Sequence, residues 1–365
     1  MKLECQVEKI KNGIAQVERI TGKNLTLPVL NSILLIASSK SLKLRATNLS
    51  LGIEVEIPAK VEKEGVVAIS GSTLGGIFSN ISINESVFFE ESNGNLVIKT
   101  KKNQIKLKCQ PNDDFPTIPR VAGSIFEIEA KKIMDGIKAV YYSSSPSDIK
   151  PEISSVFIYS NEDSLVFVST DSFRLAEKKI KIKKIEEVPG ILIPFKNISE
   201  ILRIFGELGG NIEVCFNKNQ ISFSTANTYL TSRVIDGVFP DYRQIIPKNS
   251  ETTAVVLKQD LLNALKLSNI FSDKFNQINL TIKPKEKVFE LSSLNNDVGE
   301  NKTYLDAAME GEEISLSFNY KYFLDCFQSI TTDSLHIKLS GAGLPIIVSP
   351  VSDPTFTYLI MPMNR

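Results

Sequence analysis

The sequence predicts an α+β protein of three topologically similar domains, each built from two β-α-β-β-β repeats. Three observations carry this. A strand that runs straight into an amphipathic helix recurs six times along the 365 residues. Each helix is followed by short runs that alternate apolar and polar residues between turn signals, which is the pattern of half-buried strands. Two proline-rich segments, QPNDDFPTIPR at 110–120 and GVFPDYRQIIP at 237–247, interrupt all periodicity and cut the chain into thirds. The expected domains are 1–121, 122–248 and 249–365.

The clearest copy of the phrase is 188–205, VPGILIPFKNISEILRIF. Ile191, Leu192 and Ile193 form an apolar extended run that Pro194 ends. Ile198, Ile201, Leu202 and Phe205 then recur at the spacing of one helix face. This reading turns Ile198, Leu202 and Phe205 to a sheet and leaves Lys196 and Arg203 facing away. The other copies pair 3–7 with Ile10, Ile14 and Val17; 66–70 with Leu74, Ile77, Phe78 and Ile81; 125–128 with Ile133, Met134, Ile137 and Val140; 253–257 with Leu261, Leu262 and Leu265; and 314–318 with Phe323, Cys326, Phe327 and Ile330. They lie about 60 residues apart, longer than most solenoid repeats and shorter than a domain, so two copies per domain fit the usual size range.

The strands are legible in the same way. After the first helix, TGKNLTLPVL at 21–30 is a polar loop, and 32–37, 42–47 and 53–57 form a meander. In the second repeat 87–90, 96–100 and 105–109 alternate around turns at Asn93-Gly94 and Lys102-Asn103. The third continues past the polar loop 141–151 into 156–159, 165–169 and the compact TDSFRL at 170–175. Strands at 212–216 and 221–225, 278–282 and 289–291, then 335–339, 345–348 and 356–361 complete the chain.

A hydrophobic content of 42% supports sizeable cores,. No window approaches a membrane span or a signal peptide, which points to the cytoplasm. Cys5, Cys109, Cys215 and Cys326 are isolated and fall within strand or helix patterns, as small buried hydrophobes do. The single histidine, His336, lies in a strand pattern, so most hydrolase and metal chemistry has no candidates. Net charge is +0, yet 1–123 holds an excess of bases and 250–365 an excess of acids, a polarity suited to head-to-tail association.

Motifs for catalysis fail on inspection. GSTLGG at 71–76 lacks the spacing of a phosphate loop and reads as an N-capped helix start. Ser147 and Lys150 match a Ser-x-x-Lys pattern inside a polar loop, without the companion motifs of acyl-transfer enzymes. Asp113-Asp114 and Glu90-Glu91 are adjacent acids, which on a strand point to opposite faces. No catalytic residue, metal site or cofactor is expected; binding or scaffolding is the default, and an enzyme using Ser147 and Lys150 or a scaffold binding only proteins are the rivals.

Four stretches, TLPVL at 26–30, STDSFRLA at 169–176, DGVFPDYRQIIPK at 236–248 and YLIMPMNR at 358–365, together resemble the bacterial sliding clamp, the β subunit of DNA polymerase III. The resemblance implies the DNA-clamp fold: three like domains in a crescent, two crescents closing head-to-tail into a ring around duplex DNA, in the cytoplasm with the nucleoid. Helices facing the hole should carry moderate positive charge and few strong contacts, because a strong contact is a barrier to sliding. Candidates are Lys9, Lys11, Arg19, Lys131, Lys132, Lys138, Lys196, Arg203, Lys258, Lys266 and Lys321, with Lys23, Asn24 and Ser145 to Ser147 in two loops near the pore.

The resemblance also implies a peptide cleft. Ile153, Thr170, Ser172, Phe173, Arg174, Leu175, Pro240, Gln244 and Ile245 would line it with Leu359, Ile360, Met361, Pro362, Met363 and Asn364, and Asn319 and Tyr322 would border it. Replicative and repair polymerases, the clamp loader, and mismatch-repair or ligase proteins would dock there through short peptides bearing Gln and Leu or Phe. Aliphatic walls bury such anchors and methionines can repack around them. Ser172, Phe173 and Gln244 depart from the family's usual residues, which makes the expected groove narrower and less cationic. The implied dimer pairs the first domain, around 78–81 and 68–107, with the third, around 271–276 and 304–306.

Overall fold

A computed structural model describes residues 1–22, 26–182 and 187–363. The chain runs through six β-α-β-β-β phrases. The first is β1 (Lys2–Gln6), α1 (Val7–Val17), β2 (Ser32–Ser38), β3 (Ser41–Thr47) and β4 (Leu51–Pro58). After β5 (Lys60–Lys63) come β6 (Gly65–Ser70), α2 (Gly71–Asn80), β7 (Ser86–Ser92), β8 (Asn95–Lys99) and β9 (Gln104–Lys108). The third phrase is β10 (Ser124–Glu129), α3 (Ala130–Val140), β11 (Ser155–Asn161), β12 (Ser164–Thr170) and β13 (Arg174–Lys181). The fourth is β14 (Ile191–Pro194), α4 (Phe195–Phe205), β15 (Asn211–Phe216), β16 (Gln220–Ser224) and β17 (Thr228–Arg233). The fifth is β18 (Thr252–Leu257), α5 (Lys258–Ile270), β19 (Gln277–Lys283), β20 (Val288–Asn295) and β21 (Gly299–Tyr304). After β22 (Ala307–Gly311) the sixth follows as β23 (Ile314–Asn319), α6 (Tyr320–Cys326), β24 (Ser334–Leu339), β25 (Ile346–Pro350) and β26 (Phe356–Ile360).

The expected repeat is therefore present in all six copies. Three of its third strands, β17, β21 and most of β13, escape sequence reading, as do β5 and β22. The sequence GENKTY of β21 has little apolar alternation, and its residues are exposed or half-buried. TYLTSR of β17 is polar yet lies between β16 and β4 in the middle of a sheet, where Thr231 and Ser232 are buried.

The chain packs as two compact units, 1–131 with 196–234, and 132–195 with 235–365. The first holds an eight-stranded sheet, β10-β15-β16-β17-β4-β3-β2-β6, and a five-stranded sheet, β5-β1-β7-β8-β9. The second holds a nine-stranded sheet, β14-β11-β12-β13-β26-β25-β24-β18-β22, and a four-stranded sheet, β21-β20-β19-β23. All pairings are antiparallel, so one face of each sheet can be apolar and the other wet.

Helices cover the apolar faces. In α1 the stripe Val7, Ile10, Ile14 and Val17 is buried. Gly13 lets the helix approach its sheet closely, because a Cβ there would lie 2.7 Å from Ile57 Cδ1. Gly136 holds the same place in α3, where a Cβ would lie 2.4 Å from the Phe167 ring. The GSTLGG segment is a capped helix start: the Ser70 hydroxyl accepts the Thr73 N–H at 3.4 Å,. In α4 the buried face is Asn197, Ile198, Ile201 and Phe205. Leu202 is half-buried and Ile201 takes the inward place expected of it, a correction of about one helical position.

Of the four cysteines, Cys5, Cys215 and Cys326 are buried and Cys109 is half-buried. Burial pushes the Cys5 thiol up to about 12 and raises the other three as well. None is poised as a thiolate nucleophile.

Candidate peptide-binding and nucleic-acid-facing sites

The second unit builds one surface from three separated stretches. Its centre is the turn between β12 and β13. The Thr170 hydroxyl donates to the Arg174 carbonyl at 2.7 Å and accepts the Ser172 N–H at 3.1 Å. Asp171 Oδ1 accepts the N–H groups of Phe173 and Arg174, both at 3.0 Å. This Asx-type bonding holds Ser172 in the left-handed region, φ 78°,. Asp171 was absent from the expected set, although an Asp two residues before a turn apex is the ordinary signal for it.

The chain's last strand lies against this turn. Arg174 pairs with Ile360 and Leu175 with Leu359, and the Met361 N–H donates to the Phe173 carbonyl at 2.8 Å. The tail continues along β23, where the Met363 N–H donates to the Ser317 carbonyl at 2.8 Å. Met361, Pro362 and Met363 are half-buried, so the tail is docked and still partly open. Asn364 lies outside the described residues.

The segment 237–247 supplies the third side. Leu175, Leu359, Phe239 and Tyr242 belong to one apolar cluster with Val166, Val168 and Leu192. Phe239 stacks on Phe157 with centroids 4.8 Å apart, worth about 0.5–1.5 kcal/mol beyond its burial,. The Tyr242 hydroxyl donates to the buried Glu177 carboxylate and meets the Tyr159 hydroxyl at 2.8 Å. Burial, then the bond to Glu177, raises the Tyr242 pKa, so the phenol remains a donor. With Phe239 and Tyr242 fixed inward, Pro240, Gln244 and Ile245 stand exposed on the strip. Gln244 is tied to Asp241 Oδ2 at 2.6 Å.

Phe173 is 60% exposed. Its ring is open to solvent at the edge of this surface. Asn319 caps α6 by accepting the Lys321 N–H at 3.0 Å, and the Tyr322 ring lies 4.8 Å beneath the Arg174 guanidinium. Ile153 is buried, and its carbonyl accepts the Ser145 N–H at 2.9 Å. The structure thus joins Thr170, Ser172, Phe173, Arg174, Leu175, Leu359, Ile360 and Met361 directly. It sets Met363, Pro240, Gln244, Ile245, Asn319 and Tyr322 on elements bonded to them. Tyr358 and Asp325 were missed: the Tyr358 hydroxyl donates to the Tyr322 carbonyl at 2.8 Å, and Asp325 bonds Arg174.

The basic candidates divide. Lys9, Lys131, Lys132, Lys138, Lys196, Lys266 and Lys321 are exposed on their helices. Of the rest, among the described residues, all but Arg19 are less open. The Lys11 ammonium donates to the Ser79 carbonyl at 3.2 Å and Lys258 to that of Ile330. Arg19 pairs with Glu200 at 3.2 Å. Arg203 bonds Glu200 at 2.6 Å and donates to the carbonyls of Ala15 and Gln16 at 2.8 and 2.7 Å. Arg203 thus closes the C-terminal end of α1, where the helix dipole favours a cation. Ser147 is exposed in a turn in which its N–H reaches the Ser145 hydroxyl at 3.2 Å. Lys23 and Asn24 lie outside the described residues.

Among the described residues no group of three or more His, Cys, Asp or Glu side chains is placed to hold a metal ion. No helix of them is long and apolar enough to cross a membrane.

Solved structures of DNA sliding clamps share this architecture over the whole chain. That of Pseudomonas aeruginosa bound to griselimycin is similar with a TM-score of 0.95 at 23% identity, covering 100% of both chains. That of Bacillus subtilis has a TM-score of 0.95 at 23% identity, covering 100% of this chain and 99% of the other. The fold is thus that of the clamp class, strand-rich α+β modules of two repeats each. Models of the N-terminal, central and C-terminal domains of the DNA polymerase III beta subunit match residues 1–119, 127–241 and 243–364. The chain belongs to the DNA polymerase III beta subunit family. The beta sliding clamp of Synechococcus elongatus is 26% identical over 374 residues, covering 100% of this chain and 99% of its own; that of Staphylococcus aureus is 25% identical over 349, covering 93% of each.

Proposed function

We propose that the chain works as a DNA sliding clamp: two copies close head-to-tail into a ring that encircles duplex DNA without reading its sequence. The ring keeps replicative polymerase on its template and tethers the clamp loader and repair proteins through the cleft. It has no catalytic activity of its own, needs no cofactor, and acts in the cytoplasm with the nucleoid. The domain divisions are 1–121, 122–248 and 249–365.

The observation that carries this reading is the order of the strands. In the eight-stranded sheet the half β6-β2-β3-β4 meets the half β17-β16-β15-β10; in the nine-stranded sheet β14-β11-β12-β13 meets β26-β25-β24-β18. Each time the third strand of an odd repeat joins the third strand of an even one. The remaining two sheets are single halves, β1-β7-β8-β9 ending in β9 and β23-β19-β20-β21 ending in β21. Each lacks what the other supplies, and bare edges of this kind recruit a strand. A second copy of the chain completes both, through two head-to-tail contacts that a two-fold axis closes into a ring.

The internal joints set the register of that closure. Leu51 pairs with Ser232, and Arg174 with Ile360. Gly299 begins β21 as Leu51 begins β4. Leu107 stands three residues before Gln110, whose N–H bonds the Ala68 carbonyl as Ile235 bonds Leu192 and Met363 bonds Ser317. Pairing Gly299 with Leu107 of the second copy then sets Glu300 opposite Lys106, in keeping with the basic start and acidic end of the chain.

Exposed Lys9, Lys131, Lys138 and Lys266 provide diffuse attraction to phosphates that costs little to break while sliding. A ring loaded on nicked circular DNA should stay bound in high salt and be lost after linearisation. Equal loss from both forms would overturn the reading in favour of a scaffold that binds only proteins.

A further inference from the structure

The turn at the cleft is built twice in this chain. In the first unit the Thr47 hydroxyl donates to the Leu51 carbonyl at 2.7 Å and accepts the Leu49 N–H at 3.0 Å, as Thr170 does with Arg174 and Ser172. Asn48 Oδ1 accepts the N–H groups of Ser50 and Leu51 at 2.9 and 2.7 Å, the part of Asp171. Leu49 has φ 72° where Ser172 has 78°. The Arg233 N–H donates to the Ser50 carbonyl at 2.9 Å, matching the bond from Met361 to Phe173. The backbone of the seat is therefore common to the first and third repeats, and what differs between them is side chains.

Three differences are linked. Leu51 stands where the second unit has Arg174. Counting from the strand ends before the helices, Asn197 and Glu200 of α4 stand where α6 has Tyr322 and Asp325. Asn197 is buried and bonds the Ser50 and Ser232 hydroxyls, each at 2.9 Å, and Glu200 is taken by Arg19 and Arg203. In the second unit Asp325 instead bonds the Arg174 Nη1, while Asp171 holds Nε at 2.9 Å. Held between two carboxylates, the guanidinium lies over the Tyr322 ring, 4.8 Å from its centroid. A planar fork gripped at two corners loses its rotamer freedom, so its orientation is fixed before a ligand arrives.

We infer that Asp325 is a positioning residue of the peptide cleft, acting through Arg174: it locks the guanidinium over Tyr322 and so sets the rim that a docked peptide meets. The inference rests on the cleft assignment above. Tyr358 and Asp171 are also close to Arg174; Asp325 is substantially exposed, its side chain 43% accessible, so its removal opens little core.

The test uses the full-length dimer and a fluorescently labelled peptide bearing Gln, Leu and Phe anchors. Asp325→Ala should weaken binding by about tenfold, the loss expected when a charge-assisted bond to a half-buried group is broken. Asp325→Glu should recover most of it, and Asp325→Asn, which keeps size and an acceptor, should fall between and serves if the alanine variant does not fold. Arg174→Ala placed on Asp325→Ala should add little, since the two act as one unit. Failure of the unaltered dimer to bind the peptide would overturn the cleft reading and this inference with it. Binding by the unaltered dimer with full affinity in Asp325→Ala would overturn the inference alone. So would losses that add in the double variant and track a lowered melting temperature, because a merely structural role predicts both.

Discussion

Arg120 reaches from the segment between the first two family domains to Glu54, its Nη2 2.6 Å from Glu54 Oε1. The same guanidinium lies 4.0 Å over the Tyr229 ring, whose hydroxyl bridges the Pro119 carbonyl at 3.0 Å and the Val121 N–H at 2.9 Å. Glu54 is buried and also pairs with Arg45 and Lys43. Burial alone would raise its pKa; the bond and charge of Arg45, with Arg120 and Lys43, outweigh it and hold the carboxyl below its ordinary value.

A carboxyl whose folded pKa is depressed contributes stability that is present above its unfolded pKa, about 4.3, and lost as pH falls through the folded value. At neutral pH Glu54→Gln should therefore melt at lower temperature than the unaltered protein. The gap should close as the pH falls below about 4. Differential scanning calorimetry from pH 7 downward checks this, and a gap that stays constant or widens in acid would contradict the assignment.

The second linker is pinned to the corresponding carboxylate by different chemistry. Glu177 is buried in the third strand of its repeat, as Glu54 is, and pairs with Lys179 of its own strand at 3.1 Å, but the linker side chain that reaches it is the neutral phenol of Tyr242, backed by Tyr159 and Arg243. Tyr242→Phe keeps the ring and removes the donor. It should cost about 1–3 kcal/mol, because one oxygen of a buried carboxylate loses its donor while Lys179 holds the other,. Urea unfolding of the full chain measures it. Tyr159→Phe should cost less, since Tyr159 meets Tyr242 and not the carboxylate.

The repeat was legible because each phrase couples an apolar extended run to a helix stripe, and both periods survive in the letters. Strands β17 and β21 were not, because their neighbours in the sheet, not their own apolar residues, hold them: TYLTSR is paired on both sides, and GENKTY on one. The cleft motif was legible as TDSFRL and the terminal MPM. Asp325 was not, since it acts from another helix, 151 residues away in sequence. Arg203 read as an outward cation because a helix pattern records which side a residue leaves from and says nothing of the carbonyls it reaches. The exposure of Phe173 follows from the left-handed turn before it, a backbone feature that residue type alone does not reveal.

That distinction separates two groups of cations. Replacing Lys9, Lys131, Lys138 and Lys266 by Gln should leave melting almost unchanged and reduce the salt dependence of DNA binding. The log–log slope should fall by about 0.9 for each phosphate that is no longer neutralised. Arg203→Ala should do the reverse, destabilising the first unit by about 1–3 kcal/mol through the uncapped end of α1 while changing the slope little. A large slope change in Arg203→Ala with normal melting would return that residue to the DNA-facing set.

The tail offers a separate measurement. Deleting residues 361–365 removes the Met361 and Met363 N–H bonds to Phe173 and Ser317 and leaves the edges of β9 and β21 untouched. Peptide binding should be abolished while analytical ultracentrifugation still reports the dimer. Unchanged peptide affinity would rule out the tail as a wall of the cleft.

The proposed register has its own test at Lys106 and Glu300. Both side chains are exposed in the single chain and sit on the edge strands β9 and β21. Lys106→Glu alone would set two carboxylates opposite each other at each of the two joints of the ring, and Glu300→Lys alone two ammonium groups. Cross-strand charge pairs are worth about 0.2–1 kcal/mol, and a two-fold ring holds two of them. Each single variant should weaken the dimer several-fold in sedimentation at low salt, and the double variant should restore it. Restoration distinguishes the pairing from general loss of edge charge, because the double variant changes the same residues without changing the net charge. A register slipped by one residue would place these side chains on opposite faces, and the double variant would then be no tighter than the singles.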